Sequence, residues 1–130
     1  MSTHAATKKV LIVDDDATVR SIVATTLKRS SFEVCHASSG GECLHRMRNG
    51  FHGVILMDVM MPGLTGWQTI RMLAEENLLQ GSAVCMLTGL PVPDVEAEGL
   101  EELVLDYLAK PFDATSLLRM TEEAMAILCA

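Results

Sequence analysis

The sequence predicts a three-layer α/β sandwich built around a parallel sheet. Strand-like apolar runs alternate with helix-like segments about five times along 130 residues, without a long linker, repeat or low-complexity tract. The runs at 10–13, 54–57 and 83–87 are apolar throughout, as central strands covered on both faces are. The length suits one domain with a real core and is too short for two. Right-handed crossovers would then place helices on both faces of the sheet.

Five strands are predicted, and their apolar runs differ in character. They lie near residues 9–13, 32–36, 53–57, 83–87 and 104–109. The second run, Phe32 to Cys35, alternates in polarity and therefore suits the edge of a sheet. The order of the strands within the sheet does not follow from these runs alone.

Helices are predicted between the strands and after the last one. The first follows Asp16, a candidate N-cap, and carries an apolar stripe formed by Val19, Ile22, Val23 and Leu27. The second spans Ser39 to Arg48. The third runs from about Thr65 to Asn77, with Trp67, Ile70 and Leu73 facing inward. The fourth is expected to be short and mobile, because Pro91, Pro93 and Gly99 crowd it.

The last helix has the clearest start signal. Asp113 is a candidate N-cap, and Phe112 and Leu117 have the spacing of a hydrophobic staple. Its buried face is predicted to consist of Leu117, Leu118, Met125 and Leu128.

Composition excludes several classes of protein. Apolar residues make up 49% and charged residues 21%, as in ordinary globular domains. The net charge of −7 argues against a nucleic-acid surface, which needs clustered Lys and Arg. No apolar run approaches the roughly 20 residues that cross a membrane. Six acidic residues between Asp94 and Asp106 form either a solvated face or a docking surface for a basic partner.

The cysteines do not suggest disulfides or zinc. No signal peptide is visible in residues 1–9, so the four scattered cysteines are expected to be reduced thiols of a cytosolic protein. Cys35, His36, Cys43 and His45 lie near one another in sequence, but their spacing matches no zinc pattern.

Polar residues follow four of the predicted strands. Asp14 and Asp15 follow the first, Asp58 the third and Thr88 the fourth, and Lys110-Pro111 follows the fifth. In open parallel sheets, ligands bind outside the carboxyl ends of the strands. These side chains are therefore expected to meet in one site.

This set of side chains suits phosphoryl chemistry. Three crowded carboxylates are tolerable when a cation lies among them, and their hard oxygens favour Mg²⁺. Lys110 and Thr88 supply a positive charge and a hydroxyl donor for phosphoryl oxygens. Asp58 stands alone on its strand end and is the expected nucleophile, which would form an acyl phosphate.

Four motifs carry a family resemblance that covers the chain from Val10 to about Leu128. They are Val-Asp-Asp-Asp at 13–16, Met-Asp-Val-Met-Met-Pro-Gly-Leu-Thr-Gly at 57–66, Leu-Thr-Gly at 87–89 and Asp-Tyr-Leu-Ala-Lys-Pro-Phe at 106–112. With them the sequence resembles the CheY-like receiver domains of two-component response regulators. The resemblance implies a flavodoxin-like (βα)₅ fold with strand order 2-1-3-4-5, in which residues 9–130 form the receiver and residues 1–8 a disordered N-terminal segment.

The same resemblance assigns roles to site residues. Asp58 would be the phosphoacceptor, and Asp14, Asp15, Asp58 and the backbone carbonyl of Met60 would hold Mg²⁺. Thr88 and Lys110 would bind phosphoryl oxygens, Lys110-Pro111 would be joined by a cis peptide, and Tyr107 would be the aromatic switch residue. Apolar side chains at Met60 and Leu90, which flank the site, predict slow loss of the phosphoryl group because neither can orient a water.

The resemblance also implies partners and setting. A histidine kinase or a histidine phosphotransfer protein would donate the phosphoryl group. Phosphorylation would then re-form the surface around the fourth helix and fifth strand. A downstream protein target or an output domain would read that surface, and a phosphorylation-linked dimer is possible. A bacterial, cytoplasmic setting is implied, with no direct contact to nucleic acid or membrane.

Two other interpretations compete with this one. A haloacid-dehalogenase-type phosphatase would use Asp14 as nucleophile and Asp16 as acid/base, in an Asp-x-Asp-x-Thr motif ending at Thr18. The chain is short for that fold, and the motif from Asp58 to Gly66 would stay unexplained. A receiver that binds partners without being phosphorylated is the third interpretation, and the complete set of acidic, hydroxyl and ammonium groups argues against it.

Overall fold

The computed structural model describes residues 8–89 and 99–130, which form five strands and four α-helices. The strands are β1 (Lys9–Val13), β2 (Glu33–Ala37), β3 (Val54–Asp58), β4 (Ala83–Thr88) and β5 (Val104–Ala109). The helices are α1 (Ala17–Lys28), α2 (Gly40–Arg48), α3 (Gly66–Glu75) and α4 (Ala114–Leu128). A 3-10 turn, Glu101–Leu103, precedes β5. Each predicted strand is present within one residue of its expected limits.

The five strands form one parallel sheet in the order β2-β1-β3-β4-β5. This confirms the predicted fold class and strand order. The register brings the carboxyl ends together, because Asp58 lies beside Leu87 and Thr88 beside Ala109. The polar residues that follow the strands therefore lie together at the carboxyl-terminal end of the sheet.

Helices cover both faces of the sheet, so the molecule has three layers. Leu11 and Val13 of β1 point into a core cluster that also contains residues of α2 and α3. The alternate residues Val10 and Ile12 point into a second cluster with residues of α1 and α4. Both sides of the central strands are thus buried, which explains why their sequences are apolar throughout.

Side-chain caps begin the four described helices. Asp16, Ser39, Thr65 and Asp113 each accept a hydrogen bond from a backbone N–H of the first turn. Thr65 forms a full capping box with Gln68, whose side chain accepts in return from the N–H of Thr65. The helix starts expected from the sequence are therefore confirmed by their caps.

The predicted apolar stripe of α1 contains one error. Val23 and Leu27 are buried and Val19 is partly buried, but Ile22 is 54% exposed. The buried face of the helix includes Val23 and Ala24, so the preceding residue, Ile22, lies on the side that faces solvent. Apolar character alone did not determine which neighbour of Val23, Ile22 or Ala24, faces the sheet.

The buried face of α4 is centred slightly differently from the prediction. Leu117 and Met125 are buried, whereas Leu118 and Leu128 only pack partly against the core. Met120, Thr121 and Ala124 complete the buried face. Phe112 packs against the same cluster as Leu117, as the staple predicts.

Several sequence predictions concern residues outside those described, among them the role of Leu90 beside the site and the acidic residues from Asp94 to Glu98. The short helix between β4 and β5 falls largely on residues 90–98, and the N-terminal segment falls on residues 1–7 with Lys8. The described Lys8 accepts a hydrogen bond from the N–H of Glu33 through its carbonyl. The domain limits at residues 8 and 9 stay a prediction.

All four cysteines are free thiols. Cys43 and Cys85 are buried, and burial raises the pKa of each thiol to about 12. These two side chains therefore act as small apolar core residues. Within the described ranges, no helix has both the length and the apolar character needed to cross a bilayer.

Candidate functional site

Two buried carboxylates end neighbouring strands at the centre of the sheet. Asp14 directly follows β1 and Asp58 is the last residue of β3. They are only 1% and 5% exposed, whereas the adjacent Asp15 is exposed. Carboxylate oxygens of Asp14, Asp15 and Asp58 all lie within 4.8 Å of one another. The structure thus brings together the three acidic residues that the sequence analysis selected.

Backbone and side-chain contacts hold Asp14 in place. Its N–H donates to the carbonyl of Ala37 at 3.1 Å, which ties it to the end of β2. Its carbonyl accepts from Arg20 Nη1 at 2.7 Å, and its Oδ1 accepts from the N–H of Asp16 at 2.9 Å. The direction of the carboxylate is therefore determined by β2 and by the start of α1.

Lys110 brings a positive charge to both buried carboxylates. Its Nζ lies 2.8 Å from Asp14 Oδ2 and 3.3 Å from Asp58 Oδ1. Its own N–H donates to the carbonyl of Thr88 at 2.8 Å, which fixes the loop after β5 against the end of β4. The Lys110–Pro111 peptide bond is cis.

Burial and crowding change the acidity of Asp58. Burial raises its pKa to about 6, and the charge of Asp14 acts in the same direction. Lys110 and the N–H of Met60, 3.3 Å from Asp58 Oδ1, oppose this shift. Burial alone would lower the pKa of Lys110, but its contacts with Asp14 and Asp58 outweigh burial and raise it. Ionised Asp58 is thus costly at neutral pH, and a second cation would stabilise it.

Thr88 and Tyr107 lie on the two strands beyond Asp58. Thr88 ends β4, is partly buried and lies one position beyond Leu87, the neighbour of Asp58. The Tyr107 side chain is 47% exposed, and its ring centroid lies 6.3 Å from that of Trp67 on α3. Thr88 therefore lies at the same carboxyl-terminal end of the sheet as the carboxylates, while Tyr107 lies on the edge strand β5.

Met60 follows the acidic site in the loop after β3. Its N–H contacts Asp58 as described above, and its side chain is 58% exposed. Its predicted role, in which the backbone carbonyl binds the metal, stays a prediction.

Sequence reasoning missed two residues that shape the site. Arg20 binds the carbonyl of Asp14, and its position one helical turn after the cap Asp16 was the available signal. Gly66 begins α3, where a methyl group would place its carbon 2.5 Å from the carbonyl oxygen of Asp58 and 3.0 Å from Val59 Cα. A glycine at the first position of a helix has no propensity advantage, which was the signal for a close approach.

The donor set fits a hard divalent cation. Three carboxylates converge, and one of them, Asp15, faces solvent. Oxygen ligands of this kind suit Mg²⁺, which keeps several waters and can exchange one for a phosphate oxygen. The acidic residues present therefore match the metal that the sequence analysis expected.

The geometry does not favour a dehalogenase-type phosphatase. In that interpretation Asp16 would act as acid/base beside Asp14. Instead, Asp16 Oδ1 accepts from the N–H of Thr18 at 2.8 Å and caps α1, with the side chain exposed. The helix cap explains Asp16 without any chemical role.

Comparisons with known proteins agree with this site. The family model of the response regulator receiver domain matches residues 10–122. A CheY-like receiver domain protein from Methanospirillum hungatei has a structure similar to this chain, with a TM-score of 0.89 and 45% identity, covering 93% of this chain and 96% of that one. CheY4 of Vibrio cholerae, a chemotaxis protein, gives a TM-score of 0.82 with 31% identity, covering 92% and 99% of the two chains.

Curated relatives are longer than this chain. The probable transcriptional regulatory protein SilR of Salmonella typhimurium is 34% identical over 110 residues, which cover 85% of this chain and 47% of the relative. The phosphate regulon transcriptional regulatory protein PhoB of Escherichia coli is 29% identical, with 91% and 52% covered. The chain thus spans about half the length of these relatives. Since the family model, the fold and the acidic site agree, this chain belongs to the response regulator receiver domain family.

Proposed function

We propose that Asp58 is the residue through which this receiver accepts a phosphoryl group. The observation that carries the proposal is its placement: a carboxylate at the end of β3, beside Asp14 and Asp15 and 3.3 Å from Lys110 Nζ. A carboxylate oxygen of Asp58 attacks phosphorus, the bond between phosphorus and the donor's leaving group breaks, and an acyl phosphate forms. Proximity and charge stabilisation supply most of the catalysis for such a transfer.

We propose that Mg²⁺ is held by Asp14, Asp15 and Asp58, together with the carbonyl of Met60. When bound, the ion neutralises the crowded carboxylates and coordinates a phosphoryl oxygen. The remaining contacts come from the chain itself. Lys110 already reaches both buried carboxylates and can follow the charge when it moves onto phosphoryl oxygens.

We further propose that Thr88 and Tyr107 convert phosphorylation into a change of surface. Thr88 lies on the strand next to Asp58, so its hydroxyl can donate to a phosphoryl oxygen after a small movement. Tyr107 is half-exposed on β5 beside Trp67, and its ring would turn inward when Thr88 moves. The switch is a two-state equilibrium, biased by the charge added at Asp58.

The partners follow from membership of the family. We propose a histidine kinase or a histidine phosphotransfer protein as donor, and a protein target or output domain as the reader of the switched surface around β5. The relatives SilR and PhoB are named as transcriptional regulators and are about twice as long. A phosphorylation-linked dimer and a receiver spanning residues 9–130 belong to the same proposal.

Intact mass after incubation with acetyl phosphate and Mg²⁺ tests the acceptor. We expect the wild type to gain one phosphoryl group and Asp58→Asn to gain none, with the gain abolished by a chelator. Asp106→Asn is the matched control, because Asp106 is an exposed carboxylate on β5. A gain by Asp58→Asn equal to that of the wild type would exclude Asp58 as acceptor.

The side chain of Met60 also predicts a long phosphoryl lifetime. It is apolar and largely exposed beside Asp58, so it cannot orient an attacking water. We expect the phosphorylated mass to persist for many minutes after removal of acetyl phosphate, and Met60→Glu to shorten that time. A wild-type half-life of only seconds would contradict the prediction.

A further inference from the structure

A second concave site lies at the edge of the sheet. It is a cavity of about 720 Å³ that runs between β2, α2 and the loop after α2, and we call it the β2 groove. Lys9, Cys35, His36, Arg46 and Phe51 are among the residues that line it. Its volume falls within the range of small-molecule sites, roughly 300–1,000 Å³. Strand β1 separates β2 from β3 and its Asp58, so the groove is not part of the acidic site.

The groove collects positive charge within an acidic protein. Lys9 and Arg46 carry permanent positive charges. Arg20 and Lys28 of α1 also act on His36: burial, followed by the charges of Arg20, Lys28 and Arg46, lowers its pKa. The whole chain has a net charge of −7, so this concentration of cations departs from its average. A concave surface with such a charge attracts anions.

The cations of the groove still have hydrogen-bond donors to offer. Lys9 Nζ contacts Glu33 at 4.0 Å, a weak pair between exposed groups. Within residues 8–89 and 99–130, the guanidinium of Arg46 forms no hydrogen bond or ion pair. Arginine can offer a planar fork of N–H groups, which matches the oxygens of a phosphate.

One carboxylate lines the groove and opposes an anion. Glu42 Oε1 accepts from the N–H of Ser38 at 2.7 Å, which holds it at the start of α2. That backbone hydrogen bond lowers the pKa of Glu42, so it is charged at neutral pH. Glu42 and Glu33, the partner of Lys9, thus oppose Lys9 and Arg46. Arg20 and Lys28 of α1 add positive charge near His36, so the surroundings of His36 stay positive.

An apolar wall accompanies the charge. Phe51 and Cys35 are partly buried and pack against the core cluster on the α2 side of the sheet. The exposed parts of Phe51 and Cys35 offer an aromatic ring and a thiol group to a ligand in the groove. A ligand that uses the whole cavity therefore needs an anionic head and an apolar or aromatic body.

We propose that the β2 groove binds a small organic phosphate, with its phosphoryl group on Lys9 and Arg46 and its apolar body against Phe51. This site is independent of the phosphoacceptor, because it needs neither Asp58 nor a metal. It would let a small metabolite stabilise the folded receiver or alter the edge strand next to Asp14.

Titration with phenyl phosphate, followed by amide NMR spectra of the full chain in a chelator, tests the proposal. The chelator prevents metal-assisted binding at the acidic site. We expect saturable shifts in residues 33–37 and 42–51, with binding several-fold tighter than for inorganic phosphate because of the phenyl ring. Shifts that do not saturate, or that centre on Asp14 and Asp58, would overturn the proposal.

Two charge variants, one on α2 and one on α4, give different expectations. Arg46→Glu should weaken binding of phenyl phosphate by about tenfold or more, the scale of a lost charge-assisted contact. Arg119→Glu on α4 changes net charge equally and should leave binding unchanged, since Arg119 is exposed far from the groove. Equal weakening by both variants would show a general charge effect and exclude the site.

Glu42→Gln tests the charge balance without removing a hydrogen bond. The glutamine retains an oxygen that can accept from Ser38, but the negative charge is gone. We expect binding of phenyl phosphate to tighten by about two- to fivefold, the scale of a pair of exposed charges. Unchanged or weaker binding in this folded variant would contradict the proposed position of the phosphoryl group.

Discussion

Strands β3 and β5 both bring functional residues to the carboxyl-terminal end of the sheet, but they are packed very differently. All five residues of β3 are buried, whereas only the first of the six residues of β5 is. Asp58 ends the buried strand, while Tyr107 and Leu105 are more than 40% exposed on the other. The proposed chemistry thus sits on an element that packing holds rigid, and the proposed response sits on an element that can move at lower cost.

Lys110 connects the two strands, and its removal should have the largest effect on stability. Lys110→Met leaves Asp14 and Asp58 facing each other without their cation. We expect the free energy of unfolding at pH 7 in chelator to fall by about 3 kcal/mol, the scale of breaking a buried ion pair. Mg²⁺ should restore part of this loss by replacing the charge.

Urea denaturation with and without Mg²⁺ measures both effects. Lys28→Met is the control, because Lys28 is exposed at the end of α1 and forms no ion pair in the described part of the chain. A loss for Lys110→Met no larger than for this control would show that the ion pairs contribute little.

Gly66→Ala tests the rigidity of the β3 end. The added methyl would lie 2.5 Å from the carbonyl oxygen of Asp58, so α3 or the loop after β3 must shift. We expect a loss of about 2 kcal/mol, as for overpacking, and slower labelling by acetyl phosphate. Thermal unfolding and the labelling rate by intact mass would measure these effects.

Gly41→Ala on α2 is the matched control for that substitution. The nearest atom to its methyl is Ser39 Oγ at 3.8 Å, so no shift is required. Alanine should stabilise the helix there by roughly 0.5–1 kcal/mol. If Gly66→Ala behaved in the same way, close packing against Asp58 would not be a constraint.

Asp58→Asn should stabilise the protein, and the gain should depend on pH. The pKa of Asp58 rises to about 6 in the folded state from an ordinary 3.8, so folded protein binds more protons than unfolded protein between these values. The contribution of Asp58 to wild-type stability therefore falls as pH rises from about 4 to 6. We expect Asp58→Asn to be more stable by about 2 kcal/mol at pH 7 in chelator, with the difference vanishing near pH 4.

Denaturation curves at several pH values check this sign. Asp106→Asn serves again as the exposed control and should show no comparable change. A difference between wild type and Asp58→Asn that grows toward pH 4 would contradict the assigned cost of charging Asp58.

The smallest effect on stability is expected at Tyr107. Tyr107→Leu removes a half-exposed side chain on β5 and should change the free energy of unfolding by less than about 0.5 kcal/mol. Its effect on the switch should be larger. Trp67 is the single tryptophan, and its ring lies 6.3 Å from that of Tyr107, so its fluorescence reports on this tyrosine.

Acetyl phosphate and Mg²⁺ should change Trp67 fluorescence in the wild type and much less in Tyr107→Leu. Asp58→Asn should show no change. Because this variant loses a proposed metal ligand as well as the acceptor, the wild type with Mg²⁺ alone is the control that separates phosphorylation from ion binding. An equal response in wild type and Tyr107→Leu would place the moving group elsewhere.

Much of the site was predictable because its residues lie at or just after the ends of strands in the chain. Asp14, Asp15, Asp58, Thr88 and Lys110 each follow an apolar run, and carboxyl ends of parallel strands must meet at one edge. The contribution of Arg20 and Gly66 was not predictable in this way. Their roles depend on distances between α1 or α3 and the strand ends, and spacing within one segment says nothing about such distances.

The sequence also did not fully predict which side of each helix is exposed. Ile22 and Val23 are adjacent and similarly apolar, yet only Val23 is buried, because the angle at which α1 meets the sheet selects one of them. The β2 groove is a similar case. Lys9 is far from Arg46 and Phe51 in the chain. The sequence analysis considered Cys35, His36 and His45, which also line the groove, only as zinc ligands.

The sequence by itself determined the fold class, the helix caps and the set of residues that carry the proposed chemistry, because these depend on local polarity and on the order of segments. Tertiary structure decided how Lys110 divides its contacts between Asp14 and Asp58, and how far burial raises the pKa of Asp58. It also decided that β5, alternating little in sequence, would be left exposed. These properties depend on packing between elements distant in the chain, which sets both the distances between charges and the access of water to them.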